Sequence, residues 1–272
     1  MPVSLNLFTA AYDALMLSDP ATKIAQVRAL HVAFQAGHAV PAPVEAPVAI
    51  DSPGRPVRPL LVAPRELAHR GLGTAEGRAA LIHAVAHIEF NAINLALDAV
   101  YRFRDLPHDY YADWLEVAVD EARHFELLQA RLADLGHGYG DFPAHNGLWE
   151  AAQRTAHDCV TRMALVPRVL EARGLDVTPG MIGRLRDVGD HATIAVLELI
   201  LAEEVAHVAA GTRWFRHGCE RAGLDPELTF LDLLRRYEAA IRPPFNREAR
   251  ALAGFSEAEQ AGVEALVPSR DR

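Results

Sequence analysis

Cysteine is nearly absent from this sequence: Cys159 and Cys219 are its only two in 272 residues, far apart and without CxxC spacing. That excludes a disulfide framework and a thiolate zinc or iron–sulfur site, and fits small buried thiols in a reducing cytoplasm. An excess of positive charge is also lacking. Against 36 Asp and Glu stand 27 Lys and Arg, a net charge of −9, which argues against a general binder of nucleic-acid phosphates. No Lys or Arg precedes Lys23 and no long apolar run opens the chain, so neither a Sec nor a twin-arginine signal is expected. Nor is there an unbroken apolar run of membrane length. The most apolar stretch, Ala79 to Val100, is interrupted by His83, His87, Glu89, Asn91, Asn94 and Asp98, more polar groups than a lipid-facing helix tolerates. The expectation is a cytoplasmic protein that does not enter a membrane.

Strand patterning is missing as well: apolar residues recur at helical rather than alternating spacing, so the fold class is all-α. Asp19 and Pro20 read as the cap and first residue of a helix running to Gly37. Prolines at 41, 43, 47, 53, 56, 59 and 64 keep the next segment extended, as an arm lying over another surface. A helix capped by Thr74 runs to about Arg104, and Pro107 closes it; a second spans about His108 to Leu135 and stops at Gly136. Their short connection makes them antiparallel neighbours. The glycine-rich segment Gly136–Gly147 is long enough to cross from one end of a bundle to the other. A third helix is expected from Leu148 to Arg173, stopped by Gly174, and a fourth from Pro179 to Gly218. Three regions follow: 1–70, the N-terminal helix and Pro-rich arm; 71–220, the bundle; 221–272, a C-terminal helix and tail.

Two helices carry Glu-x-x-His: Glu121 and His124 in DEARHF, Glu204 and His207 in EEVAHV. Three residues on an α-helix turn about 300°, so carboxylate and imidazole share one face and can reach a common ion. Both pairs continue apolar stripes, Trp114, Val117, Ala118, Phe125 and Leu128 in one helix and Val196, Leu197, Ile200, Leu201 and Val208 in the other, so they point inward, where charge needs a partner or a metal. Glu89 and Glu171 lie singly on the stripes of the first and third helices. Glu89 precedes Glu121 by 32 residues and Glu171 precedes Glu204 by 33, which reads as two helix hairpins of similar design. Two lone glutamates and two Glu-x-x-His pairs are the ligand set of carboxylate-bridged di-iron and di-manganese bundles. A ferritin-like four-helix bundle with a long crossover between helices two and three is therefore expected. Its core would hold two metal ions, iron first and manganese as the alternative, because the donors are oxygen and imidazole.

Other residues are weighed and set aside. His87 sits two residues, about 200° of helix, from Glu89, on the opposite side. With His83, Asn91 and Asn94 it makes a polar side to be covered by the Pro-rich arm, or by a second copy in a homodimer. Glu203 and Asp120 flank the ligands as supporting or surface groups. Pro167, four residues before Glu171, should bend helix three near the metals. Tyr139, Phe142 and Trp149 gather around the crossover as bundle-end packing or a pocket mouth. Gly136, Gly138 and Gly140 follow no strand and make no dinucleotide fingerprint.

With these residues, the strings PGRPVRPLLVAPRE, GRAALIHAVAHIEFNAINLALDAVYRF, GDFPAHNGLWEAA and LVPRVLEARGLDVTPGM resemble a bacterial ferritin-like family known only as a domain of unknown function, over nearly the whole chain after residue 20. The resemblance implies a ferritin-like di-metal fold and no settled substrate. In ligand arrangement the chain is similar to the di-iron tRNA hydroxylases and, more distantly, to rubrerythrins. The leading expectation is an oxidoreductase in which a di-iron centre activates O₂ to hydroxylate or desaturate a small organic substrate. It would take electrons from an external donor, since no flavin fingerprint or cluster cysteines are present. The rivals are iron oxidation, storage or peroxide scavenging without an organic substrate, and an interaction module around a structural metal. Arg55, Arg58, Arg65, Arg70 and Arg78 form a local basic group whose ordinary role would be salt bridges.

Overall fold

A computed structural model describes residues 4–68 and 70–267. Among the described residues the fold is all-α apart from two two-residue strands, and the chain divides into two compact units, 1–153 and 154–272.

The first unit opens with strand β1 (Leu5–Asn6), paired in parallel with β2 (Ala39–Val40) in the register Leu5 to Ala39. Between them lie helices α1 (Leu7–Met16) and α2 (Pro20–Gln35). Asp19 caps α2 as its sequence predicts, accepting the Thr22 amide at 2.8 Å. Helix α1 is not among the elements expected from the sequence, although Asn6 is a good cap and accepts from the amides of Phe8 and Thr9. The Pro-rich arm does run extended over other elements: the Val48 amide donates to the Tyr101 hydroxyl, and the Trp149 indole donates to Ile50 O. Leu61 bridges to Ala144 in the crossover segment.

Two long helices dominate this unit, α3 (Ala75–Arg102) and α4 (His108–Asp134), packed as neighbours. The Thr74 hydroxyl accepts the Gly77 amide at the start of α3, and Gly136 ends α4 in the left-handed region at φ 76°, both as expected. By length and composition α3 could cross a membrane, but 72% of its most apolar stretch is buried inside the fold. Helix α5 (Gly147–Arg154) follows the crossover.

Where one helix is expected from Leu148 to Arg173, the chain makes three pieces. After α5 it breaks, Asp158 caps α6 (Cys159–Leu165), and a π-helical turn, Val166–Glu171, leads into α7 (Ala172–Asp187). The π-turn answers to Pro167, which has no amide to donate and whose ring would collide with the carbonyl four residues back; widening the helix relieves both. Gly174 does not stop a helix and Pro179 does not start one. Both lie inside α7, and the break falls at Gly189, where the Asp190 amide donates to Leu185 O and that of Gly189 to Arg186 O. Asp190 then caps α8 (His191–Ala222), accepting the Thr193 amide at 3.1 Å.

The tail is more helical than expected, with α9 (Pro226–Arg236), α10 (Arg247–Leu252) and α11 (Glu257–Ala265). It is anchored within the second unit by two buried ion pairs, Arg250 with Asp176 at 2.7 Å and Arg168 with Glu259 at 2.6 Å. The Arg168 guanidinium also lies 4.0 to 4.7 Å from the ring centres of Phe215, Phe230 and Phe255, a cage in which a desolvated cation is well held.

Candidate metal centre

In the first unit, α3 and α4 bring Glu89, Glu121 and His124 together, each at most 4% exposed. One ligand atom from each lies within 4.8 Å of the other two. His124 Nδ1 is 3.3 Å from Glu89 Oε2 and 3.6 Å from Glu121 Oε2. The helical spacing does what the sequence predicts: Glu121 and His124 share the inner face of α4, and Glu89 meets them from the facing side of α3. Phe90 and Phe125, next in sequence to two of these ligands, are buried and meet with ring centres 5.3 Å apart and planes tilted by 51°. Burial opposes charge on His124, but the hydrogen bonds and negative charges of Glu121 and Glu89 outweigh it and raise the imidazole to about 11. Two buried carboxylates thus demand a cation between them, and without metal the proton on His124 serves.

In the second unit, α8 carries Glu204 and His207 one turn apart, with His207 Nδ1 3.5 Å from Glu204 Oε1 and both side chains buried. Glu171, half-buried, ends the π-turn. The segment leading to it is held against α8 by two close approaches. Val160 of α6 packs over Gly218, and the Pro167 ring packs over Gly211. Seven residues separate each pair of positions, so the two segments run antiparallel in step. Glu171 lies four residues beyond Pro167, and His207 four residues before Gly211. The first unit thus gathers one glutamate with a Glu-x-x-His pair, and the second carries a Glu-x-x-His pair of the same spacing.

The residues set aside have other partners. His87 Nδ1 lies 2.8 Å from the Tyr139 hydroxyl and Nε2 3.1 Å from His145 O, and burial lowers it to about 4. His83 Nε2 accepts the Gly140 amide at 2.9 Å, and burial likewise lowers it to about 4. The polar side of α3 is thus covered largely by the crossover, which sequence alone did not place there. Asn94 accepts from Lys23 of α2. Asp120 meets Arg123 at 3.3 Å on the half-exposed side of α4. Arg70 pairs with Glu76 at 3.4 Å, while Arg55 and Arg78 bond within their own segments, to Ser52 and Leu72.

Sequence reasoning missed Lys23. Its ammonium is fully buried and donates to Leu15 O and Gly54 O, each at 2.8 Å, as well as to Asn94. Burial lowers it from 10.5 to about 7. Nothing in the local sequence marks it, because its acceptors come from three separate segments.

A family model described as "Protein of unknown function (DUF455)" matches residues 16–261. A relative from Haemophilus influenzae (strain ATCC 51907 / DSM 11121 / KW20 / Rd), described as an uncharacterized protein, is 48% identical over 212 residues, covering 75% of this chain and 74% of the relative. No solved structure matches the chain.

Proposed function

Because the chain belongs to the DUF455 family, whose description names no activity, we propose its function from its own ligand residues: a di-iron oxidoreductase that uses O₂ to hydroxylate or desaturate a small organic substrate. In this reading the long helices of the two units form a ferritin-like four-helix bundle, and Glu89, Glu121, His124, Glu171, Glu204 and His207 together hold two metal ions. The observation that carries it is the buried cluster of Glu89 with the Glu121–His124 pair, matched in the second unit by a Glu204–His207 pair of the same spacing.

The donor chemistry fits such a pair of ions. The six residues are carboxylates and imidazoles, with no thiolate among them, which suits iron or manganese better than a structural zinc. Two carboxylates at His124 hold a positive charge in a place where water is excluded, and a metal ion would displace the imidazole proton there. When bound in its reduced state, iron supplies the electrons that activate O₂.

The protein's contribution is to fix that constellation and keep it dry. Phe90 and Phe125 shield Glu89 and His124, while the π-turn sets where Glu171 stands. With no cluster cysteines or flavin fingerprint in the chain, an external donor would return electrons after each turnover.

The test is metal content per chain after expression in iron-supplemented medium, beside Glu204→Ala and His207→Ala. The expected result is about two irons in the parent and loss in both variants. A parent that takes up neither iron nor manganese after anaerobic reconstitution overturns the proposal.

A further inference from the structure

A second site lies in the first unit, on the opposite side of α3 from Glu89. It is a cleft of about 160 Å³ between α3, residues 67, 68 and 70, and the end of the crossover. Its floor is the stripe Ala80, Ala84 and Ile88, at one-turn spacing, with Leu67, Pro143 and Leu148 as apolar walls. Ile88 is 46% exposed, while His87 and Glu89 on either side of it in sequence are buried.

The polar groups of the cleft are donors. Arg70 is the one charged side chain lining it among the described residues. Its Nε faces Glu76 at 3.4 Å and its guanidinium lies 5.2 Å from the Phe142 ring centre, which fixes the fork while its two terminal nitrogens make no hydrogen bond among the described residues. His145 Nδ1 accepts the Gly147 amide at 3.1 Å, so the neutral ring carries its proton on Nε2, which is left to donate. His87 is already held by Tyr139 and His145 O and offers the cleft little. Against a chain of net charge −9, the arm that leads into the cleft carries Arg55, Arg58 and Arg65, and the Glu66 carboxylate there is turned to the Ala63 amide.

A guanidinium fork and an imidazole N–H beside an apolar floor match one ligand chemistry, a carboxylate on a small apolar body. We propose that this cleft binds a small apolar monocarboxylate, its carboxylate on Arg70 and His145 and its body on Ala80, Ala84 and Ile88. The volume is about that of five liquid waters, below the roughly 300 Å³ at which drug-sized pockets begin, so a benzoate-sized acid is the upper limit. The site is independent of the metal reading, because none of its residues is a proposed metal ligand.

Isothermal titration of the full chain with benzoate, and with benzyl alcohol as a neutral body of the same shape, tests it. Benzoate should bind saturably and more tightly than the alcohol. Arg70→Gln should weaken benzoate about tenfold and erase the preference, the loss expected for one charge-assisted contact. Ala84→Leu, at an exposed helical position that accepts leucine without unfolding, should fill the floor and abolish binding of both. No saturable benzoate binding, equal affinity for acid and alcohol in the parent, or binding unchanged in both variants would overturn the assignment. Circular dichroism confirms that the variants are folded.

Discussion

The Pro167 ring is seated on Gly211 of α8 so closely that a Cβ on Gly211 would lie 2.4 Å from both Cβ and Cγ of the proline. A rigid ring cannot swing aside as a long side chain could, so the two backbones must part if the glycine gains a methyl group. Gly211→Ala should therefore destabilise the protein by about 1–3 kcal/mol, the usual range for overpacking a filled core. At about 2–4 °C per kcal/mol for a chain of this size, thermal melting will read it. Since the displaced segment is the π-turn that ends at Glu171, iron content should fall in the same variant. An unchanged melting temperature would mean that the contact is looser than the backbone path implies.

Arg168 couples that turn to the tail. Its guanidinium and the Glu259 carboxylate are both at most 1% exposed, and burial lowers Arg168 only to about 10, so it stays charged near neutral pH. Arg168→Leu leaves the buried Glu259 carboxylate with the Ser256 amide, which donates to it at 2.9 Å, and with Arg216, a half-exposed cation 3.9 Å away. The expected cost is about 3–5 kcal/mol, and adding Glu259→Leu should recover part of it by removing the uncompensated charge. Urea denaturation of the single and double variants checks both, and a double variant no better than the single would show that the aromatic cage, not the ion pair, holds α11.

Stability should rise with pH around Lys23. Burial lowers its folded value to about 7 against 10.5 in the unfolded chain. Between those values the unfolded state binds more protons than the folded one, and stability increases with pH wherever that holds. The contribution is smallest below pH 7 and fully present above about 10.5. Because Leu15 O, Gly54 O and Asn94 accept from the amine, Lys23→Met would be less stable at every pH and would lack this rise. Melting curves of parent and variant from pH 6 to 9 measure the difference; parallel pH profiles would mean that the lysine keeps its charge across the range.

Local rules in the sequence reached the two Glu–His juxtapositions because each is built from helical spacing: Glu121 to His124 is one turn, as is Glu204 to His207, and both lie on apolar stripes. They reached the ends of α2, α3 and α4 because Asp19, Thr74 and Gly136 act through their own backbone neighbours. They failed at Gly174 and Pro179, which carry the stop and start preferences but sit in α7. The competing signal was Gly189 followed by Asp190, with Thr193 three residues on, a left-handed stop and a cap in succession. Lys23 and the carboxylate cleft lay out of reach for another reason. Their partners are distant in sequence, and only packing brings Leu15, Gly54 and Asn94, or Arg70, Ala84 and His145, to one place.

Whether the two half-sets serve one centre or two is open to a direct comparison. Glu121→Ala removes a carboxylate from the first unit and Glu204→Ala one from the second. If all six residues bind a pair of ions bridged by shared carboxylates, each variant weakens the whole pair, because a bridging ligand lost from one ion leaves the other underbound. Iron per chain should then drop from about two toward zero in either variant, and addition of iron(II) should no longer raise the melting temperature, as it should in the parent through preferential binding to the folded state. Two independent half-sites would instead leave about one iron in each variant and about half of the thermal stabilisation. Anaerobic iron(II) titration followed by melting separates these outcomes, and retention of one iron in both variants would refute the single di-metal centre.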